Sequence, residues 1–324
     1  MMILRNAFLL SLPLLGCSAI YAQETHKLLT TIKLDAVPVA CSLSGDNQKL
    51  VITTGDNQVL IYDLRLAKVV RRIPVEGSPL YIHRLPLGRL ALVGFWNGRR
   101  IGLFDLYGYR QMRNVPTGDG PTFFAQYNQT ILLAQTRAQK VSFLSGFNFR
   151  STKDLLFDGA VAGVAVAPGR RTAYAIVGMH KIAVIDLVSR STLHSFEVAT
   201  AKDSPLVIDS SEQWLFAIGP RNTVIRISVD DEKESKRIST GGGSVGLAKS
   251  GDGKFLYVCN GLEGRIAVIE ASSLTELEQL QVGVRPAFIE TSADNHYVLV
   301  CNRGSNTISV LERVDQKSAN ARTR

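Results

Sequence analysis

The chain has 324 residues, 45% of them hydrophobic and 20% charged, with a formal net charge of +9. That balance excludes a disordered chain and a small disulfide scaffold, and the length is ample for a self-sufficient core that needs neither metal nor disulfide. Two or three average domains would fit this length, but the repeat described below argues for one closed all-β fold.

In chain order, the first element is a leader. Arg5 gives the start one positive charge, Ala7 to Leu15 is a short apolar run broken by Pro13, and Ala19-Ile20-Tyr21-Ala22 follows. The pattern is that of a bacterial-type secretory signal spanning residues 1–22, and it is far short of the ~20 apolar residues of a spanning helix. Leu14-Leu15-Gly16-Cys17 also has the form of a lipobox, so two products are expected. One is a soluble periplasmic protein cut after Ala22. The other is an outer-membrane-anchored lipoprotein beginning at Cys17, the one route to a membrane.

From residue 27 to 312 a short pattern recurs seven times: an apolar run ending in an acidic or small polar residue. Its last residues are Asp63, Asp105, Ser145, Asp186, Ser228, Glu270 and Glu312, spaced by 42, 40, 41, 42, 42 and 42. A period near 40 with strand-like copies is the mark of a β-propeller with one four-stranded blade per repeat. Each repeat opens on a strand, often led by proline (Pro38, Pro79, Pro121, Pro205, Pro286), where a missing N–H breaks no ladder bond. Turns rich in Gly, Asp and Asn come next, such as Gly45-Asp46-Asn47 and Gly251-Asp252-Gly253, and they suit tight hairpins. A strongly apolar second strand, the recurring third strand and a more polar fourth complete the unit. The fourth strands carry six apolar markers, Ile73, Val115, Leu156, Phe196, Ile238 and Leu280, for seven third strands. The missing copy is Leu29 to Leu34, whose Ile32 precedes Ile73 by 41, so the N-terminal strand is expected to complete the last blade. Residues 313–324 form a polar tail with no strand pattern.

The cysteines sit at 17, 41, 259 and 301. Cys259 and Cys301 occupy one repeat column, filled elsewhere by Ile52, Gly94, Ala134, Ala175 and Ala217, so they are expected to be small buried core residues. Facing sheets lie ~10 Å apart, beyond the reach of a disulfide between those two. No His or second Cys stands at ligand spacing, and neither a metal nor a cofactor is expected.

Ser250-Gly251-Asp252-Gly253-Lys254-Phe255-Leu256-Tyr257-Val258-Cys259-Asn260 resembles the defining segment of YVTN-type β-propeller repeats. Ser292 to Asn302 and Ser42 to Thr53 are looser copies, while blades 2 to 5 keep the period and lose the consensus. The family is similar in turn to the propeller subunits of quinoprotein amine dehydrogenases and to propeller lactonases. The resemblance implies a single seven-bladed propeller and implies hardly anything about activity. Its motif residues are structural, so none is carried over as catalytic.

Two constellations stand out. Along the inner strands the polar residues are His83, Arg84, Gln126, Asp209, Lys249 and Glu290. Converging on one channel, they would bind an anion or small polar ligand, with His83, Asp209 and Glu290 as the catalytic alternatives. The second feature is charge: residues 64–150 hold thirteen Lys or Arg against three Asp or Glu. Arg71, Arg84, Arg99, Arg100 and Arg110, with Trp96, compose a candidate binding surface on blades 2 and 3, for which nucleic acid ranks last among the ligands. Gly241-Gly242-Gly243 lacks the Lys-Ser/Thr of a phosphate loop and reads as a flexible loop into blade 6.

The leading expectation is an exported, non-catalytic, monomeric binding scaffold of the cell envelope. It would engage a protein or acidic ligand through the basic surface or the channel mouth. The competing expectation is a channel-centred enzyme, a lactonase-like hydrolase or a subunit of a quinoprotein-type redox complex.

Overall fold

In the computed structural model, residues 25–314 are described, Leu87 excepted. The leader, Cys17 and the tail beyond residue 314 lie outside them. Twenty-eight strands form seven four-stranded antiparallel sheets, and no helix occurs among the described residues. The chain is a seven-bladed β-propeller. Six blades are built from four consecutive strands, and the seventh pairs His26–Lys33 with Thr307–Arg313, closing the ring as expected. Arg313, assigned to the tail from sequence, ends that third strand, and its guanidinium holds Asp252 of blade 6 at 2.8 Å.

The recurring polar residue has a local cause. Asp63 Oδ1 accepts hydrogen bonds from the Arg65 and Leu66 amides, Asp105 from Tyr107 and Gly108, and Asp186 from Val188 and Ser189. Each carboxylate satisfies the orphan amides of the hairpin between the third and fourth strands, an Asx turn. The resemblance segments repeat a second device. Ser44, Ser250 and Ser292 donate to Asp46, Asp252 and Asp294, and each serine hydroxyl accepts the amide of the residue that opens the second strand or lies beside it (Lys49, Phe255, Tyr297).

The core lies between blades, because each sheet is apolar on both faces and must be covered on both. One cluster joins blades 7 and 1 through Ile32, Cys41, Leu43, Ile52, Leu299 and Cys301, and another joins blades 1 and 2 through Val51, Ile61, Val93 and Phe104. Cys41, Cys259 and Cys301 are fully buried free thiols. The cross-blade neighbour of Cys301 is Cys41, whose thiol is pushed well above its ordinary value by contact with Cys301 and by burial.

His26 fastens the closing strand to blade 6. Its Nδ1 lies 2.9 Å from Glu278 Oε1 and its Nε2 2.9 Å from Tyr257 Oη, while Thr25 Oγ1 donates to the same carboxylate at 2.5 Å. Burial opposes the charge on Glu278, but the His26 and Thr25 contacts outweigh it and hold the carboxyl below its ordinary value.

Candidate functional site

The seven inner strands line a channel whose two ends differ. At the end where inner strands begin, a cavity of about 810 Å³ opens among the loops that feed these strands and the hairpins between second and third strands. Its floor is aromatic. Tyr81 lies 4.4 Å from Phe123 and 5.7 Å from Phe288 between ring centroids. Each ring stands two residues after a strand-leading proline: Pro79-Leu80-Tyr81, Pro121-Thr122-Phe123 and Pro286-Ala287-Phe288. In blades 2 and 7 a β-bulge falls between the proline and the aromatic, and such bulges re-aim the side chain that follows.

The rim of this cavity is cationic. Lys202, Arg285 and Arg303 line it with a single carboxylate, Asp203. Among the described residues none of the three cations forms an ion pair. Glu263, beside the lining residue Leu262, is engaged by Arg265 and by the Gly242 amide. Burial pushes the pKa of the Tyr81 phenol well above its ordinary value, with Arg303 opposing and Asp203 adding to the effect. Trp96 completes the wall, with the Arg137 guanidinium 4.5 Å from its ring centroid.

Two rim residues hold unfavourable backbone. The turn into the inner strand takes a left-handed conformation at Gly77, Gly120 and Gly243, where glycine does so freely. Blades 5 and 7 place Asp203 (φ 53) and Arg285 (φ 54) there instead. A non-glycine residue in this region costs roughly 1–2 kcal/mol, a cost that sixteen other non-glycine residues among the described ones also bear.

Beyond the aromatic floor the channel narrows to a chamber of about 200 Å³ that shares Tyr81, Phe123, Val245, Ala287 and Phe288 with the mouth. His83 and Glu290 face it from blades 2 and 7. His83 stacks on Phe124 at 5.5 Å, and its Nε2 is buried without a partner. Burial holds His83 down at about 4, with Gln126 opposing and Arg84 adding to the depression, so the imidazole is neutral at physiological pH. Glu290 accepts a 2.5 Å hydrogen bond from Ser42 Oγ. Its burial outweighs Ser42 and Arg84 and raises the carboxyl to about 7.

The other residues singled out from sequence distribute over the whole molecule. Arg84 donates to the Leu43 carbonyl at 3.1 Å, at the far end of the channel. Lys249 is lowered by burial against the pull of Asp209 and Asp252. Asp209 is a turn residue: its Oδ1 accepts the Gln213 and Trp214 amides, and it forms no hydrogen bond with His83 or Glu290. Arg99 and Arg100 stand at the end of blade 2 that carries the cavity, where Pro79 pairs with Phe95. Arg110 pairs with Asp105 at the opposite end, and Arg71 lies exposed on the outer strand of blade 1. Arg100 bonds the Glu76 carbonyl at 2.6 Å and its carboxylate at 3.1 Å. These arginines therefore do not share one face. Of the basic-surface set, Trp96 alone lines the cavity. Among the described residues no cluster of His, Cys, Asp or Glu has the arrangement of a metal site, and no helix is long and apolar enough to cross a membrane.

Lys202, Arg285, Arg303 and the aromatic floor are absent from the sequence-based candidates. The proline-x-aromatic triplet in three repeats is the signal that could have found the floor. Lys202 and Arg285 lie in loops that feed inner strands and Arg303 in a hairpin of blade 7, turn positions whose residue type varies from blade to blade, so periodicity does not expose them.

Comparison with known proteins agrees with this architecture. A family model described as "Lactonase, 7-bladed beta-propeller" matches residues 234–323, less than a third of the chain. Among solved structures, a chain of hydrazine synthase from Kuenenia stuttgartiensis superposes with a TM-score of 0.77 at 16% identity, covering 87% of this chain and 97% of that one. At that identity the likeness is one of fold. Comparison with curated protein sequences found no match.

Proposed function

We propose that this chain is an exported binding propeller of the cell envelope whose channel mouth holds a small aromatic or otherwise apolar anion. The observation that carries this reading is the 810 Å³ cavity, in which three cations without ion-pair partners stand over an aromatic floor. Pockets of this size with an apolar lining and a few convergent polar groups are the usual form of a ligand site. Rim charge selects the ligand's sign, and the flat floor selects its shape. Export rests on the leader sequence at residues 1–22.

Fluorescence titration tests this, because Trp96 lines the cavity. Three probes of one shape would be compared: cinnamate, neutral cinnamamide and cationic cinnamylamine. Cinnamate is expected to bind at least tenfold more tightly than the amide, and the amine not measurably. Arg303→Glu is expected to abolish that preference. Equal affinity for all three probes would overturn the reading.

The family match over residues 234–323 and the His83–Glu290 chamber favour one second reading, hydrolysis of a lactone in the channel. Turnover of dihydrocoumarin that disappears in Glu290→Gln would establish it in place of a pure binding role.

A further inference from the structure

The two compartments follow one another along the same strands. Tyr81 and His83 are two residues apart on the inner strand of blade 2, as are Phe288 and Glu290 on that of blade 7. At about 3.3 Å per residue, the chamber groups lie roughly 7 Å beyond the floor. Five residues line both cavities, so the two are neighbours along the axis with the aromatic rings between mouth and chamber.

The chamber has an unmet chemical need. His83 Nε2 is buried and has no hydrogen-bond partner. A buried imidazole nitrogen without a partner has lost its bond to water, and a ligand group can restore it. Glu290 faces the same space, with one carboxyl oxygen engaged by Ser42. Besides His83 and Glu290 the lining carries one polar side chain, the Tyr81 phenol, and its walls are otherwise apolar (Phe124, Leu206, Leu247 and Ile289), so an uncharged polar group is favoured there over a charged one.

We propose that the channel holds one elongated ligand across both compartments. Its anionic head lies among Lys202, Arg285 and Arg303, its flat apolar body on Tyr81, Phe123 and Phe288, and an uncharged hydroxyl at its far end bonds His83 and Glu290. The ligand class is thus a hydroxyaryl carboxylate or a molecule of the same outline. This rests on the mouth reading above and adds the far-end group and the residues that select it.

The test compares 4-hydroxycinnamate with cinnamate, which differ only in the distal hydroxyl. On the wild-type chain the hydroxyl is expected to improve affinity about tenfold, the usual scale for restoring a buried hydrogen bond. His83→Leu and the near-isosteric Glu290→Gln are each expected to erase most of that gain while changing cinnamate affinity less than twofold. Circular dichroism would confirm the folded state of both variants. If the hydroxyl gives no gain, or if either variant weakens both probes equally, the elongated-ligand inference is overturned while the mouth reading stands. If neither probe binds, both fall.

Discussion

At the scale of single residues, strain and burial make separable predictions. Arg285 holds a left-handed backbone that Gly243 adopts in the preceding blade. Arg285→Gly is therefore expected to leave stability unchanged or raise it by up to about 1 kcal/mol, while weakening cinnamate binding severalfold. Chemical denaturation and titration of one variant check both halves, and parallel loss of stability and binding would contradict the assignment. Glu290 makes a pH prediction. Its folded-state value of about 7 lies above the ordinary 4.5, so the folded chain prefers the protonated form. The stability it contributes is full below pH 4.5 and is lost as pH rises toward 7. Glu290→Gln should flatten the denaturation midpoint across that window, and an unchanged profile would show that the carboxyl is not buried against water. The three core thiols are expected to resist a thiol reagent in the native chain and to react fully on unfolding.

At the scale of elements, the closing strand is the one piece whose attachment is not local in sequence. His26 is buried and bonded to Glu278 and Tyr257 of blade 6. His26→Ala would leave the buried Tyr257 hydroxyl without its partner and Glu278 with Thr25 alone, and is expected to cost about 1–3 kcal/mol, read by urea denaturation. Glu278, held below its ordinary value, contributes stability above the unfolded carboxylate range, and this is lost as pH falls through its folded value. The wild type should thus lose more stability on acidification than His26→Ala. This strand was legible in the sequence because Ile32 keeps the register of the fourth-strand column. The His26 contacts were not, since they join positions 252 and 231 residues apart. Lys202, Arg285 and Arg303 escaped the sequence for another reason: turn positions keep the period but not the residue type. His83 and Glu290 were legible because they are polar residues on apolar inner strands. Their separation from Asp209 was not, because a carboxylate that caps its own turn has the same sequence appearance as one that faces a channel.

At the scale of the whole molecule, seven near-equivalent blades leave one axis where their differences meet. Apolar sheet faces are consumed between blades, so the channel ends are where unlike residues from different repeats converge. One end collects unpaired cations over three aromatic rings, and the opposite end carries the turn-capping carboxylates Asp209, Asp252 and Asp294, already committed to backbone amides. The basic stretch of blades 2 and 3 does not make a second centre of this kind, because its arginines divide between both ends and the outer edge. A ligand site on the ring axis is also compatible with the fold's stability, since the blades need no contribution from the channel to bury their cores. The most direct measurement is calorimetric titration of cinnamate into the wild-type chain and into a Lys202→Glu, Arg285→Glu, Arg303→Glu variant. Saturable one-to-one binding to the wild type, weakened at least a hundredfold in the variant, is the predicted result. Equal binding to both, or none to the wild type, would contradict the account.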